Sequence, residues 1–103
     1  MKIYGGGKQT RDYTYVSDAV AATILATDAP AGSVYNVGTG RETSVNRLAE
    51  MIGGEVEHVG LRDIDNVSRR SLSYGRIHRD LGWEPKVELR DGLIHTLSWM
   101  ESR

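Results

Sequence analysis

The chain has no cysteine, so neither a disulfide framework nor thiolate chemistry is open to it. Phenylalanine is also absent, and apolar residues make up only 39% of 103 positions, which leaves modest material for a core. No apolar run approaches the ~18 residues that a membrane-spanning helix needs. The first residues lack the apolar stretch of a signal peptide, and a cytoplasmic location is expected. There is no block of like charge. Thirteen basic residues stand against fourteen acidic ones, for a net charge of −1. That balance argues against nucleic acid or a membrane surface as partner. Asn66-Val67-Ser68 fits the glycosylation tripeptide and is read as chance in a chain without an export signal. His58, His78 and His95 share no ligand spacing, so no metal is expected.

What the chain does have is glycine, 12 residues of it, marking many turns. Residues 1–4 read as a short strand. Gly5, Gly6 and Gly7 give a flexible entry to a polar Gln-Thr-Arg-Asp group. Tyr13, Thr14, Tyr15 and Val16 suit a pleated surface and predict a second short strand. Ser17 and Asp18 then open an Ala-rich helix over about 17–28, with Val16, Val20 and Ile24 at helical spacing. Asp28, Pro30 and Gly32 end it. Residues 33–37 predict a strand that closes on Gly38-Thr39-Gly40. Thr43 or Ser44 can cap a second helix whose Val45, Leu48, Ala49 and Ile52 form an apolar stripe, ended by Gly53 and Gly54. Alternation over 55–59 predicts a half-exposed strand. Residues 60–72 read as a polar loop. Ser73 caps a short helix with Ile77 and Leu81 inward, Trp83 packs back, and Pro85 stops continuation. A last helix over about 88–101 carries Leu89, Leu93, Leu97 and Met100 on one face. Trp83 and Trp99 are both expected in the core.

Four pieces, in order and in register, resemble a known family. Residues 5–18 fit Gly-x-Gly-x-Gln-x-Arg-Asp-(Phe/Tyr)-x-x-Val-x-Asp, and Tyr35-Asn36-Val37-Gly38 fits a Tyr-Asn-(Ile/Val)-Gly strand end. Arg62-Asp63-Ile64-Asp65 is similar to Arg-x-Gly-Asp, and Leu81-Gly82-Trp83-Glu84-Pro85 to Leu-Gly-Trp-x-Pro. Together they resemble the extended short-chain dehydrogenases/reductases, the NAD-dependent nucleotide-sugar epimerases and dehydratases. The match covers nearly the whole chain but only the C-terminal third of such an enzyme. The resemblance implies an α/β fold of short strands with about four helices, lacking most of the Rossmann sheet. The Rossmann domain, with its NAD, belongs to full-length relatives. In this chain alone there is no Gly-x-Gly-x-x-Gly unit with its acidic partner, and no cofactor is expected. Tyr4 and Lys8 have the Tyr-x-x-x-Lys spacing of the catalytic pair. Three intervening glycines, each costing about 1 kcal/mol in a helix relative to alanine, make that spacing a coincidence.

Arg11, Asn36, Arg62 and Asp65 are the candidate substrate-binding residues. Arg11 has two readings, a surface pair with Asp12 or Asp18, or a phosphate contact through its planar guanidinium. The resemblance favours the second, because the family's matching arginine contacts the nucleotide diphosphate. Arg62 and Asp65 read as a solvated charge cluster or, by resemblance, as contacts to phosphate and nucleoside. Two departures fall nearby: Asp63 stands where proline is common, and Ile64 replaces a glycine. A branched residue does not take left-handed backbone angles cheaply. Asn36 is either a turn former or an amide presented to the same pocket. The amides after Gly38 precede a helix and could meet an anion.

The expected partner is thus a nucleoside diphosphate or nucleotide sugar, together with self-association or pairing with a Rossmann domain. Two other classes remain: a stand-alone binding module, and a structural relic that works by self-association.

Overall fold

The structure, a computed structural model, describes residues 1–60 and 71–103. The order is β1 (Lys2–Tyr4), β2 (Thr10–Arg11), α1 (Val16–Ala26), β3 (Thr43–Ser44), α2 (Val45–Ile52), β4 (Glu57–Val59), α3 (Gly75–Leu81) and α4 (Leu89–Glu101). Short strands with four helices match the expected fold class. The strands make two small ladders. β1 runs parallel to β4, with Ile3 opposite His58, and β2 runs antiparallel to β3, with Arg11 opposite Thr43.

Local chemistry explains most of the elements. Ser44 caps α2, its Oγ accepting from the Arg47 N–H at 3.0 Å. Ala49 at the centre of the predicted stripe is buried. α3 ends at Gly82, whose φ of 73° is left-handed and open to glycine without strain. Its N–H returns to the His78 carbonyl at 2.9 Å. Tyr74 is the N-cap residue of α3, while Ser73 still contributes by accepting from the Gly75 N–H at 3.2 Å.

Four expectations need correction. Residues 13–16 are not a strand: Val16 already belongs to α1, and Tyr15 is its N-cap residue. The β propensity of Tyr-Thr-Tyr-Val finds no neighbouring strand among the described residues, and only Val16 joins a helix. Ser17 is therefore inside the helix rather than its cap, and α1 has no side-chain cap hydrogen bond. Residues 33–37 form no ladder either, since no described strand runs beside them. Finally, Trp99 is 59% exposed near the C-terminal end of α4, where Arg103 covers its ring at 4.8 Å.

The core centres on Ala22, Ile77 and Trp83, with Leu25, Tyr35, Val37, Tyr74 and Leu81 packed against it. Tyr74 meets Trp83 edge-on at 5.9 Å, a favoured aromatic geometry. α1 contributes Ala22 and Leu25 to this core and turns Val16, Val20 and Ile24 outward, at 65%, 50% and 63% exposure. Asp18 is buried in the same region. Its backbone carbonyl accepts from Trp83 Nε1 at 2.9 Å, and its Oδ2 accepts from the Lys86 and Val87 N–H groups at 3.1 and 3.0 Å. One acidic residue thus ties α1 to the whole segment after α3.

The molecule is a slab of 46 × 35 × 19 Å with a Cα radius of gyration of 15.9 Å. A closed domain of this length would have about 13 Å. Among the described residues no helix is long and apolar enough to cross a membrane.

Asp18→Ala removes the acceptor for two backbone donors and leaves them without partners. Each orphaned donor costs about 1–3 kcal/mol. Urea denaturation should show a loss of roughly 2–4 kcal/mol, a large part of a small domain's stability.

Candidate functional site

Asp12 is the hub of the site. Its carboxylate accepts from the Thr39 N–H at 3.0–3.1 Å, the Thr39 hydroxyl at 2.6 Å, the Gly40 N–H at 3.0 Å and the Leu72 N–H at 3.1 Å. The amides beyond Gly38 do meet an anion, and it is this carboxylate of the chain itself. Burial would raise the Asp12 pKa. The hydrogen bonds from Thr39, Leu72 and Gly40 outweigh burial and hold it below the ordinary 3.8. Gly38 is required for this approach, because a Cβ there would lie 2.9 Å from Asp12 Oδ2 and 2.8 Å from the Leu72 Cβ.

Arg11 precedes this hub on β2 and is half-buried. Its Nη1 donates to the Thr10 carbonyl at 2.7 Å. The strand is held by β3 on one side, and the Gln9 carbonyl accepts from the Val45 N–H at 3.0 Å. Asn36 is exposed, in the extended stretch just before the loop that Asp12 grips. Arg11 and Asn36 therefore sit on segments joined by Asp12. Arg62 and Asp65 lie outside the described residues. The surface-pair reading for Asp18 does not hold, since that residue is buried with its carboxylate on Lys86 and Val87. Tyr4 and Lys8 do not share a helix, because Tyr4 ends β1 and turns follow it.

Tyr13, one step past Asp12, lines a groove of about 440 Å³ between the loop after Thr39, α2 and residues 85–90. Burial raises its phenol above the ordinary 10.0, and the nearby charge of Arg11 opposes the shift. The groove also carries Arg41, Arg47, Lys86 and Arg90. Sequence reading missed both features. Asp12 was visible only as a motif letter, because its donors are backbone amides that no side-chain pattern reports. The groove is assembled from three segments, and each shows only an ordinary surface cation.

The depressed Asp12 pKa fixes the sign of an acid effect. The group's stabilisation is fully present above its unfolded value and is lost as pH falls through the lower native value. Urea melts taken between pH 7 and pH 2.5 should show stability falling below about pH 4. Asp12→Asn should be less stable at pH 7 and should lack this part of the acid limb.

The geometry has counterparts in known proteins. Residues 1–96 match the family model of GDP-mannose 4,6 dehydratase. The chain is 36% identical over 111 residues to UDP-glucose 4-epimerase of Mycolicibacterium smegmatis, covering 99% of this chain and 34% of that protein. UDP-glucose 4-epimerase of Thermotoga maritima, solved with UDP-glucose, superposes with a TM-score of 0.92 at 38% identity. That match covers 99% of this chain and 35% of the other. MoeE5, solved with UDP-glucuronic acid and NAD, gives 0.90 at 30% identity, over 99% of this chain and 36% of its own. The chain spans about a third of the length of the relatives it matches. With 96 residues in register with one family model, the chain belongs to the GDP-mannose 4,6-dehydratase family, among the nucleotide-sugar epimerases and dehydratases of the extended short-chain dehydrogenases/reductases.

Proposed function

We propose that this chain is the nucleoside-diphosphate-binding portion of an NAD-dependent nucleotide-sugar epimerase or dehydratase, without catalytic competence of its own. The observation that carries the reading is the folded state of the Arg11-Asp12 pair. Asp12 is engaged by the Thr39, Gly40 and Leu72 donors and fixes the start of this segment against the loop after Asn36. Arg11 stands beside it on a strand held by β3, in a motif whose family counterpart contacts the nucleotide diphosphate. Likeness to a UDP-glucose-bound epimerase along 99% of the chain supports the same ligand class.

In this reading Arg11 and Arg62 grip the diphosphate, and Asp65 and Asn36 bind at the rim. Charge-assisted bonds from two guanidinium groups are worth about 1.5–3 kcal/mol each. Neither glycine stretch offers a dinucleotide loop among the described residues. The loop that precedes α2 already gives its Thr39 and Gly40 amides to Asp12, and the Gly5–Gly7 stretch opens no helix. In a full-length protein of this kind a bound nicotinamide would supply hydride transfer. This chain's residues would hold and orient the nucleotide.

A second element of the proposal is self-association, or pairing with a Rossmann domain. It is favoured by the exposed Val16, Val20 and Ile24 stripe and by a slab too extended for a closed core. Light scattering at about 100 µM, within the range of weak association, should report a species larger than one chain. Ile24→Lys should shift it toward monomer. A wild-type monomer at that concentration contradicts this element.

A UDP titration followed by NMR shifts tests the ligand. Weak binding is expected, about 0.1–1 mM or 4–5.5 kcal/mol, falling with added salt. Arg11→Ala should weaken it about tenfold or more, and more than Arg62→Ala, because Ile64 departs from the family pattern beside Arg62. Wild-type affinity in Arg11→Ala contradicts the diphosphate reading.

A further inference from the structure

The groove beside Tyr13 is used by nothing proposed above, and Arg11 does not line it. Its charge is unlike that of the chain. Arg41, Arg47, Lys86 and Arg90 face two carboxylates, Glu42 and Glu88, for a net charge of +2 in a chain of net −1. We propose that this groove is a second anion site, separate from the diphosphate site, for a small organic phosphate with a planar ring.

Three features carry the assignment. First, the cations are available. Lys86 and Arg90 have no ion pair among the described residues. Arg41 meets Glu88 only at 3.9 Å, and Arg47 meets Glu50 at 3.2 Å, with all four side chains more than 60% exposed. Exposed pairs of this kind are worth little, so a dianion competes with them easily. Second, the wall that bears Lys86 is rigid. The N–H groups of Lys86 and Val87 are fixed to the buried Asp18 carboxylate, which sets the backbone from which this cation extends before a ligand arrives. Third, the groove is not merely charged. Tyr13, Tyr74, Met51, Val87 and Leu89 add flat and apolar surface between the cations. A bare phosphate would leave that surface wet, whereas an attached ring would cover it. The volume of about 440 Å³ suits a molecule of that size.

The test uses the full chain and phenyl phosphate, followed by ¹H–¹⁵N NMR at constant ionic strength. Saturable shifts should cluster at Tyr13, Arg41, Lys86, Val87 and Arg90. Inorganic phosphate should bind several-fold more weakly, and neutral phenol more weakly still. The double variant Lys86→Ala/Arg90→Ala should weaken phenyl phosphate at least tenfold while its circular dichroism stays that of the wild type, both positions being exposed. Arg11→Ala should weaken UDP far more than phenyl phosphate, whose affinity should fall by only a few-fold through the lost charge near Tyr13, so the two sites fail separately. Absence of saturable shifts, or unchanged affinity in the double variant, overturns the proposal. So does loss of phenyl phosphate binding in Arg11→Ala, which would assign the ligand to the diphosphate site.

Discussion

The carboxylate of Asp12 receives four donors from residues 27 to 60 positions away in sequence. Three segments with no common secondary structure meet there: the end of β2, the loop at Thr39 and Gly40, and Leu72. A carboxylate taken out of water is costly unless its oxygens are paired. Here every pairing is charge-assisted, roughly twice as strong as a neutral bond. The arrangement also demands that the loop approach without a side chain, which is why Gly38 stands where it does. Asp18 repeats the device at the other end of the same motif. It binds Trp83 through its carbonyl and the 86–87 backbone through its carboxylate. In a chain with only five buried apolar residues among those described, these two acids replace much of what a larger core would do.

This has a direct bearing on the site. Arg11 and Asp12 are neighbours with divided roles. The acid is turned inward and satisfied, and the base is carried on a strand that β3 holds from the other side. For the proposed diphosphate contact, that strand is the mount that would position the guanidinium. The anchor of Tyr13 follows from the same geometry, and it brings an aromatic ring to the edge of the basic groove. The slab shape and the exposed stripe of α1 fit a molecule whose sequence corresponds to about a third of its longer relatives.

The elements legible in the sequence were those decided locally. α2 was readable from its stripe and from the Ser44 cap, α3 from Ile77 and Leu81, though it stops at Gly82, before the expected Pro85, and β4 from alternation. The failures came where a non-local partner decides. Residues 13–16 and 33–37 have strand propensity, but a strand exists only beside another strand, and none lies beside them in the described fold. Trp99 is apolar enough for a core that its helix end does not have. At the site, Arg11 and Asn36 are candidates through motifs, and the structure places both on segments that Asp12 joins. The inward role of Asp12 was not legible, because backbone amides carry no sequence signature.

The central claim is that Asp12 works as an ionised junction. An NMR pH titration of its side-chain carboxyl carbon tests this most directly. The account predicts a midpoint below the ordinary 3.8, with the Thr39, Gly40 and Leu72 amide shifts moving at the same pH. A midpoint at or above the ordinary value, or amides that ignore the titration, would contradict it.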